Sequence, residues 1–492
     1  MDPSDTTDTA VIVAGMGPVG AALAALLSSR GVPTVVVEPQ DRPYPKPRAA
    51  VLDIEAIRAL SVIPGMPPLE TWATPLARNG AVGPDHRPLF LIEHTALAYG
   101  LPQIVRLDQP ALEAGLRAAA TKAEVLSGRG VSAVEQDDDR VTAVLDDGRR
   151  VTARWLVGCD GTGSTVRTAA GVGFPGETFE QPWLVVDAAV RPGAAVTPGV
   201  GGAVDGGASI AFVLDPARPQ VAMSQRDRWR WEWMLLPGEE PHDEIVRSLI
   251  SAWVDPADLD IERTAVYTFY ARTAERWRAG RVLLAGDAAH AMPPFAGLGL
   301  GMGIRDVIAL AWRLADVVDG GDPHVLDAYE RERRPDVERS TALALRIGRL
   351  VQTRNRTTMR LSRGALRALA SLPGLRSRLG REPMPARRLS KTVAGPLPDA
   401  GRVLPNPRVS VAGGPPVRLD EVIRYRWVYI GHGCDPRTVA GDIPNDAVLL
   451  ALHHPDAAPG CLPIDDLDGL LAGRPGSVTV ARPDRFLHGT LN

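Results

Sequence analysis

The chain has 492 residues, 45% hydrophobic and 23% charged, with a net charge of −3 and three cysteines. That composition belongs to a globular protein long enough for several cores, with no global electrostatic pull toward nucleic acid. No apolar run reaches the ~18 residues of a membrane span, and no basic-then-apolar leader opens the chain, so a cytoplasmic location is expected. Cys159, Cys434 and Cys461 are widely spaced with no C-x-x-C pair, which argues against a disulfide framework and a metal site.

The first element is the apolar run Val11-Ile12-Val13, suited to a buried parallel strand. Gly15, Gly17 and Gly20 follow at G-x-G-x-x-G spacing, with Pro18 and Val19 between them, and 21–29 reads as helix. Glycines let such a turn approach a pyrophosphate, whose charge the helix N-terminus stabilises. A second apolar run, 35–37, ends in Glu38, placed to accept hydrogen bonds from a ribose. Glu38 alone does not separate FAD from NAD, and a glycine-rich turn before an ordinary helix is the plainer alternative.

Next, 141–145 and 151–157 read as a hairpin across Asp146-Asp147-Gly148. The second strand leads into Gly158-Cys159-Asp160-Gly161, with Ser164 and Arg167 after it, either a capping turn or part of a ligand site. From 179 to 269 the pattern turns β-rich, with a glycine-rich turn region at 199–207. Alternation puts Trp231 and Trp233 on one face of a strand and Glu232 on the other. Trp183, Phe212, Met223, Trp231, Trp233 and Tyr270 are the aromatic and soft side chains offered to a pocket, although paired buried tryptophans are more often core.

The run 282–285 then places Asp287 at a strand end. Pro293-Pro294-Phe295-Ala296-Gly297-Leu298-Gly299 enters a helix over 300–317. Prolines stiffen the approach and glycines expose amides near the helix start, where oriented donors can stabilise negative charge. Pro294 and Phe295 are pocket candidates by position, and His290 reads as a structural histidine. The segment 327–381 reads as largely helical. Within 346–391 there are thirteen Arg or Lys and one acid, Glu382. Leu361, Leu366, Leu369, Leu372 and Leu379 fall at helical spacing, which predicts helices packed by leucines with a solvated basic face. An anionic surface contact is the alternative. Residues 395–492 read as a further domain, with strands at 428–430, 448–451 and 478–480 and a short helix at 467–471.

Taken together, the glycine motif, the Asp160-Gly161 motif and the Gly286-Asp287 motif resemble the FAD-dependent aromatic hydroxylases, the single-component flavoprotein monooxygenases. Segments such as 179–187, Arg230-Trp231-Glu232-Trp233, Tyr329-Glu330-Arg331-Glu332-Arg333-Arg334-Pro335 and Ala481-Arg482-Pro483-Asp484-Arg485 are similar to the 3-(3-hydroxyphenyl)propionate hydroxylase branch. The resemblance implies an α/β fold: a Rossmann-like FAD-binding domain (1–175 and 270–345) interleaved with a β-sheet substrate domain (176–269). A basic helical segment (346–394) and a C-terminal thioredoxin-like domain (395–492) would follow. Without a C-x-x-C pair, that last domain is expected to scaffold or to form a homodimer.

The resemblance also assigns FAD contacts to Gly15, Gly17, Pro18, Val19, Gly20, Glu38, Arg48 (in Pro47-Arg48-Ala49), Gln109, Val131, Asp160, Asp287, Pro294, Gly297, Gly299, Leu300 and Gly301. Asp287 would bind the ribityl chain. NADPH or NADH would reduce FAD transiently, O2 would form a C4a-hydroperoxide, and a phenolic or polyketide-like aromatic substrate would gain one oxygen. The chemistry would be borne by the flavin, with the loop residues Pro294, Leu298 and Gly299 beside it and no metal. Leu298 stands where the family has Gln, Gly301 where Asn or Cys is frequent, and Tyr270 where His is common. These departures leave room for Baeyer–Villiger oxygenation or dehydrogenation of a natural-product intermediate. A flavin-binding protein kept for a structural partnership is a third reading.

Overall fold

A computed structural model describes residues 6–43, 48–179, 181–194, 196, 208–225, 227–381, 387–454 and 457–492. Pro47, the 199–207 turn region and Glu382 lie outside the described residues.

The strand Thr6–Ala14 is the centre of the first sheet, and Val11, Ile12 and Val13 are wholly buried. It runs parallel to Thr34–Glu38 on one side and to Arg150–Gly158 on the other. Ala123–Ser127 and Val282–Leu284 extend the parallel set outward. Strands covered on both faces need unbroken apolar runs, which is why these segments do not alternate. The covering helix Pro18–Ser29 is rich in alanine because it is sandwiched: Gly20 through Ser28 are all buried. A methyl at Gly303, in the neighbouring helix Gly299–Val318, would lie 2.6 Å from the Val19 side chain. The hairpin expected across Asp146-Asp147-Gly148 is present, with Val141–Leu145 antiparallel to Arg150–Gly158 and Gly148 in the left-handed region.

The second sheet is antiparallel through Leu259–Tyr267, Trp183–Val190, Arg228–Met234, Gln220–Gln225 and Ala208–Val213. It then continues into strands from far upstream. Ala73–Val82 pairs parallel with Ala208–Val213, and Ile104–Leu107 and Val51–Asp53 lie beyond it. Residues 51–107 therefore contribute to this sheet and are not simply part of a 1–175 FAD unit. Nothing local encodes a parallel pairing between strands well over a hundred residues apart, so the sequence reading missed it.

One face of this sheet is a dry core. Leu184, Val186, Trp229, Trp231 and Trp233 pack under the Asp243–Ile250 helix and Trp253. The rings of Trp229 and Trp231 stack at 5.4 Å, and those of Trp231 and Trp233 at 6.3 Å. The opposite face, carrying Ile210, Phe212, Met223, Arg230 and Glu232, looks toward the first sheet.

Asp327–Val351 is a single helix, so the division drawn at 345/346 falls inside a continuous element. The next helix, Arg356–Ser371, is capped by the Asn355 side chain, which accepts from the Thr357 and Thr358 amides. Its packing side is not the leucine series. Met359 is fully buried and Leu366 partly so, whereas Leu361 is 71% exposed and Leu369, Leu372 and Leu379 are exposed too. Arg363 is spent on the Leu214 carbonyl at 2.9 Å, which fixes Met359, Arg363 and Leu366 as the inward stripe.

The C-terminal unit is a seven-stranded mixed sheet. Val428–His432, Val448–Leu452 and Cys461–Asp466 are parallel neighbours, with Val478–Ala481 and Leu487–Leu491 antiparallel at one side. The strands expected at 428–430, 448–451 and 478–480 are present, but the helix expected at 467–471 is not. The Asp466 carboxylate accepts the amides of Asp468, Gly469 and Leu471 and closes a turn instead. Among the described residues, no helix is long and apolar enough to cross a membrane.

Candidate active site

A cavity of about 1150 Å3 lies where the C-terminal ends of the first sheet face the second. Ligands bind at this edge of parallel α/β sheets because loops and helix N-termini converge there. Gly15, Gly17, Pro18 and Val19 line it. Gly15 has φ +94°, and a Cβ there would lie 2.6 Å from the Cys159 carbonyl oxygen, so only glycine lets the two loops meet. Gly17 caps the Pro18–Ser29 helix with no side-chain partner and opens onto free space, which leaves first-turn amides facing the cavity. Gly20 does not line the cavity. Its missing Cβ would collide with the Gly15 carbonyl at 2.0 Å, so it allows the turn and not a contact.

Glu38 ends its strand beside this turn, accepting from the Met16 amide at 2.6 Å and the Gln40 amide at 2.9 Å while lining the cavity. Gln109 also reaches the cavity. Its Oε1 accepts from the amides of Arg48 and Ala49, both at 2.8 Å, which holds that loop against the site. Val131 opens its strand outside the cavity lining, so no contact with a bound group is built there.

Asp160 serves both readings of its motif. It accepts from Ser164 Oγ at 2.5 Å and the Val166 amide at 3.1 Å, and it also faces the cavity. Arg167 donates to the Ala288 and Thr162 carbonyls, tying this motif to the Asp287 turn. Cys159 is half-buried in the same lining, and burial, with Asp160 and Asp306 nearby, pushes its thiol well above the ordinary range.

Asp287 stands in a short 3-10 turn and projects into the cavity, with its carboxyl pKa raised by the surrounding protein. Beneath it the sequence reading missed an anchor. Asp306 is wholly buried and accepts from the Gly286 amide at 3.1 Å, His290 Nε2 at 2.5 Å and Arg333 Nε at 3.0 Å. Burial opposes its charge, but His290 and Arg333 outweigh burial and hold its pKa below the usual range. Arg305-Asp306 inside a mostly apolar helix was the available signal, since buried charges are paired. His290 is structural, as its isolation suggested.

Pro294, Phe295, Gly297, Leu298, Gly299 and Leu300 all line the cavity at the start of the Gly299–Val318 helix. Gly297 has φ +66°, and a Cβ there would lie 2.2 Å from Val51. The helix start has no side-chain cap, so its first amides are oriented donors toward the cavity. Gly301 is buried one step inside and does not line the space; a Cβ there would make ordinary contact with Ala56 at 3.5 Å.

Phe212 and Met223 line the far wall with Ile210, Arg230 and Glu232. Trp233 does not: strand alternation turns it into the tryptophan core, where its indole NH donates to Gln220 at 2.8 Å. Tyr270 is also absent from the lining, lying in a separate three-stranded sheet with the Arg272 guanidinium over its ring.

An open glycine turn, Glu38 at the adjacent strand end, Asp287 in the cavity lining and a donor-rich helix start fit an extended dinucleotide carrying a flat ring system. The comparisons agree. The FAD binding domain family matches residues 8–344, and the HcaD C-terminal domain family matches 401–492. The chain is 33% identical to a 3-(3-hydroxy-phenyl)propionate/3-hydroxycinnamic acid hydroxylase of Klebsiella pneumoniae (strain 342), over 97% of this chain and 91% of that protein. It is 31% identical to the enzyme of that name from Escherichia coli (strain K12), over 100% and 93%. Among solved structures, the OxyS anhydrotetracycline hydroxylase from Streptomyces rimosus superposes with a TM-score of 0.70 at 27% identity, covering 98% of this chain and 96% of that one. The flavin-dependent monooxygenase PieE, solved with FAD and substrate, shares the fold at a TM-score of 0.77 and 21% identity over 98% and 96%. The chain belongs to the FAD-dependent aromatic hydroxylases, the single-component flavoprotein monooxygenases.

Proposed function

We propose that the protein hydroxylates a phenolic small molecule, using NADPH or NADH as reductant and O2 as oxygen donor. The observation carrying this reading is one continuous cavity that joins the Gly299–Val318 helix start to a sheet face of mixed apolar and charged character. Bound FAD supplies hydride acceptance and dioxygen activation. The chain's own residues do the rest. Gly15, Gly17 and the first turn of the Pro18–Ser29 helix would hold the pyrophosphate, Glu38 a ribose, and Asp287 the ribityl hydroxyls.

Amides of Gly299 and Leu300 would face the carbonyl edge of the ring and stabilise negative charge that develops on reduction. Because that role uses backbone donors, Leu298 in place of a side-chain amide leaves it intact. Pro294, Phe295, Phe212, Met223 and Ile210 would sandwich an aromatic ring and exclude water. The names of the curated relatives favour a hydroxyphenyl acid as a first substrate to try. The C-terminal unit, read as a thioredoxin-like domain without a dithiol, serves as scaffold.

The test is oxygen uptake by the FAD-loaded protein with NADPH or NADH, with and without 3-(3-hydroxyphenyl)propionate and a panel of phenols. The expected result is ligand-stimulated uptake and a product one oxygen heavier. A product lighter by two hydrogens, or peroxide alone with every ligand, would overturn the reading.

A further inference from the structure

Most buried charged side chains have a partner, but among the described residues Arg106 and the half-buried Glu232, both in the second sheet, have no ion pair. Arg106, on the strand Ile104–Leu107, is 6% exposed. Among the described residues its guanidinium meets only the Ala50 carbonyl at 3.4 Å and Met223 Sδ at 3.5 Å, and its Nε has no hydrogen-bond partner. Among the described residues no carboxylate pairs with it. Glu232 lines the cavity, and among the described residues no group hydrogen-bonds to its carboxyl. The neighbouring ion pair is saturated by contrast. Arg230 binds both oxygens of Asp187, at 2.6 and 3.1 Å, and donates to the Arg48 carbonyl, while Arg263 approaches Asp187 at 3.5 Å. Arg230 and Glu232, two residues apart on one strand, both line the cavity, with Arg230 opposite Asp187 and Met223; Arg106 lies against Met223, outside the lining itself.

An unpaired carboxyl in the cavity wall and an unpaired buried cation behind Met223 are costly unless something bound in the cavity offsets them. We infer that Glu232 binds the hydroxyl of a phenolic substrate as the base that takes its proton, while Arg106, behind Met223, is a positioning charge whose field favours the phenolate. This deepens the proposed function and rests on it for the identity of the ring. In the step, the phenol O–H bond breaks and its electron pair stays on oxygen. The proton moves to the Glu232 carboxylate, which becomes neutral. The phenolate is the more electron-rich ring and the better partner for an electrophilic oxygen.

Two physical effects bring donor and acceptor together. Burial raises the Glu232 pKa, opposed by Arg230, Arg106 and Arg263 and reinforced by Asp187, which makes it a stronger base than a solvated glutamate. Burial and then Arg230 lower the Arg106 pKa to about 10, with Asp187 and Glu232 opposing. Arg106 still carries its charge at neutral pH and favours the ionised phenol.

The experiment uses the FAD-loaded protein and 4-nitrophenol, whose phenol and phenolate forms absorb differently. Bound at one pH unit below its solution pKa, 4-nitrophenol should show the phenolate band on the wild type. On Glu232→Gln it should bind and show the neutral band. On Arg106→Met, which removes a buried cation at similar volume, its pKa in the bound state should rise by a unit or more. For a phenol that is turned over, Glu232→Gln should lower kcat about 100-fold at neutral pH. That loss should shrink as the pH approaches the phenol's own pKa, a profile that a merely structural defect would not give. A phenolate band retained on Glu232→Gln, a neutral band on the wild type, or no binding of 4-nitrophenol to the wild type would overturn the inference. Glu232-dependent ionisation with no oxygenated product from any phenol would instead overturn the hydroxylase reading and leave this site standing.

Discussion

Single residues decide whether the cofactor turn can close. Gly15 is both left-handed and in van der Waals conflict with any Cβ, so Gly15→Ala should weaken FAD binding at least tenfold, read as flavin retained after gel filtration. Retention equal to wild type would mean that the turn tolerates displacement of the Cys159 loop. Asp306 is the anchor that the sequence reading passed over. Removing it leaves His290 and Arg333 buried without their shared partner, and loss of one member of a buried pair costs about 3–5 kcal/mol. Urea unfolding of Asp306→Ala should show that loss, together with reduced FAD content because the Gly286 amide is freed as well.

At the scale of elements, the second sheet separates stability from specificity by alternation alone. Trp233→Ala opens a cavity in the tryptophan face and should cost about 3–5 kcal/mol by denaturant, with KM for the aromatic ligand unchanged. Phe212→Ala and Met223→Ala act on the other face and should raise that KM roughly tenfold with FAD binding intact. A KM effect from Trp233 matching that of Phe212 would contradict the two-face account. The sequence told this story in part. The local alternation of Trp231, Glu232 and Trp233 was legible, and so were the apolar parallel strands and the Asp146-Asp147-Gly148 hairpin. Which face meets a ligand was not legible, because that depends on pairing with strands hundreds of atoms of chain away. The inward side of Arg356–Ser371 escaped for the same reason: helical spacing of leucines says nothing about which neighbour Met359 will find.

At the scale of the whole molecule, the C-terminal unit is fastened by buried ion pairs. Arg58 and Arg485 grip Asp420, and Arg482 grips Glu332 and Asp484. Burial opposes the charge on Asp420 and Asp484, but Arg58 and Arg485 on the first and Arg482 on the second outweigh it, so both sit below the usual carboxylate range. A depressed folded pKa contributes stability that is complete above the unfolded value of about 4 and fades as pH falls toward the folded one. Tm should therefore hold from pH 8 to about 5 and drop below about 4. Fluorescence of Trp312, whose indole bonds Asp484, should report undocking in the same window. A Tm that falls between pH 8 and 6 would contradict this arrangement.

The motifs at Gly15, Asp160 and Asp287 were legible because each is a short local turn, and their convergence, which only the resemblance implied, is seen in one cavity lining. That convergence carries the central claim, and labelled dioxygen tests it most directly. The FAD-loaded protein is supplied with NADPH, 18O2 and the phenol that most stimulates oxygen uptake, and the product is analysed by mass and bonding pattern. The account predicts one labelled oxygen on an aromatic carbon and one NADPH consumed per product. A product without label, or label recovered only as hydrogen peroxide while the ligand is bound, would contradict it.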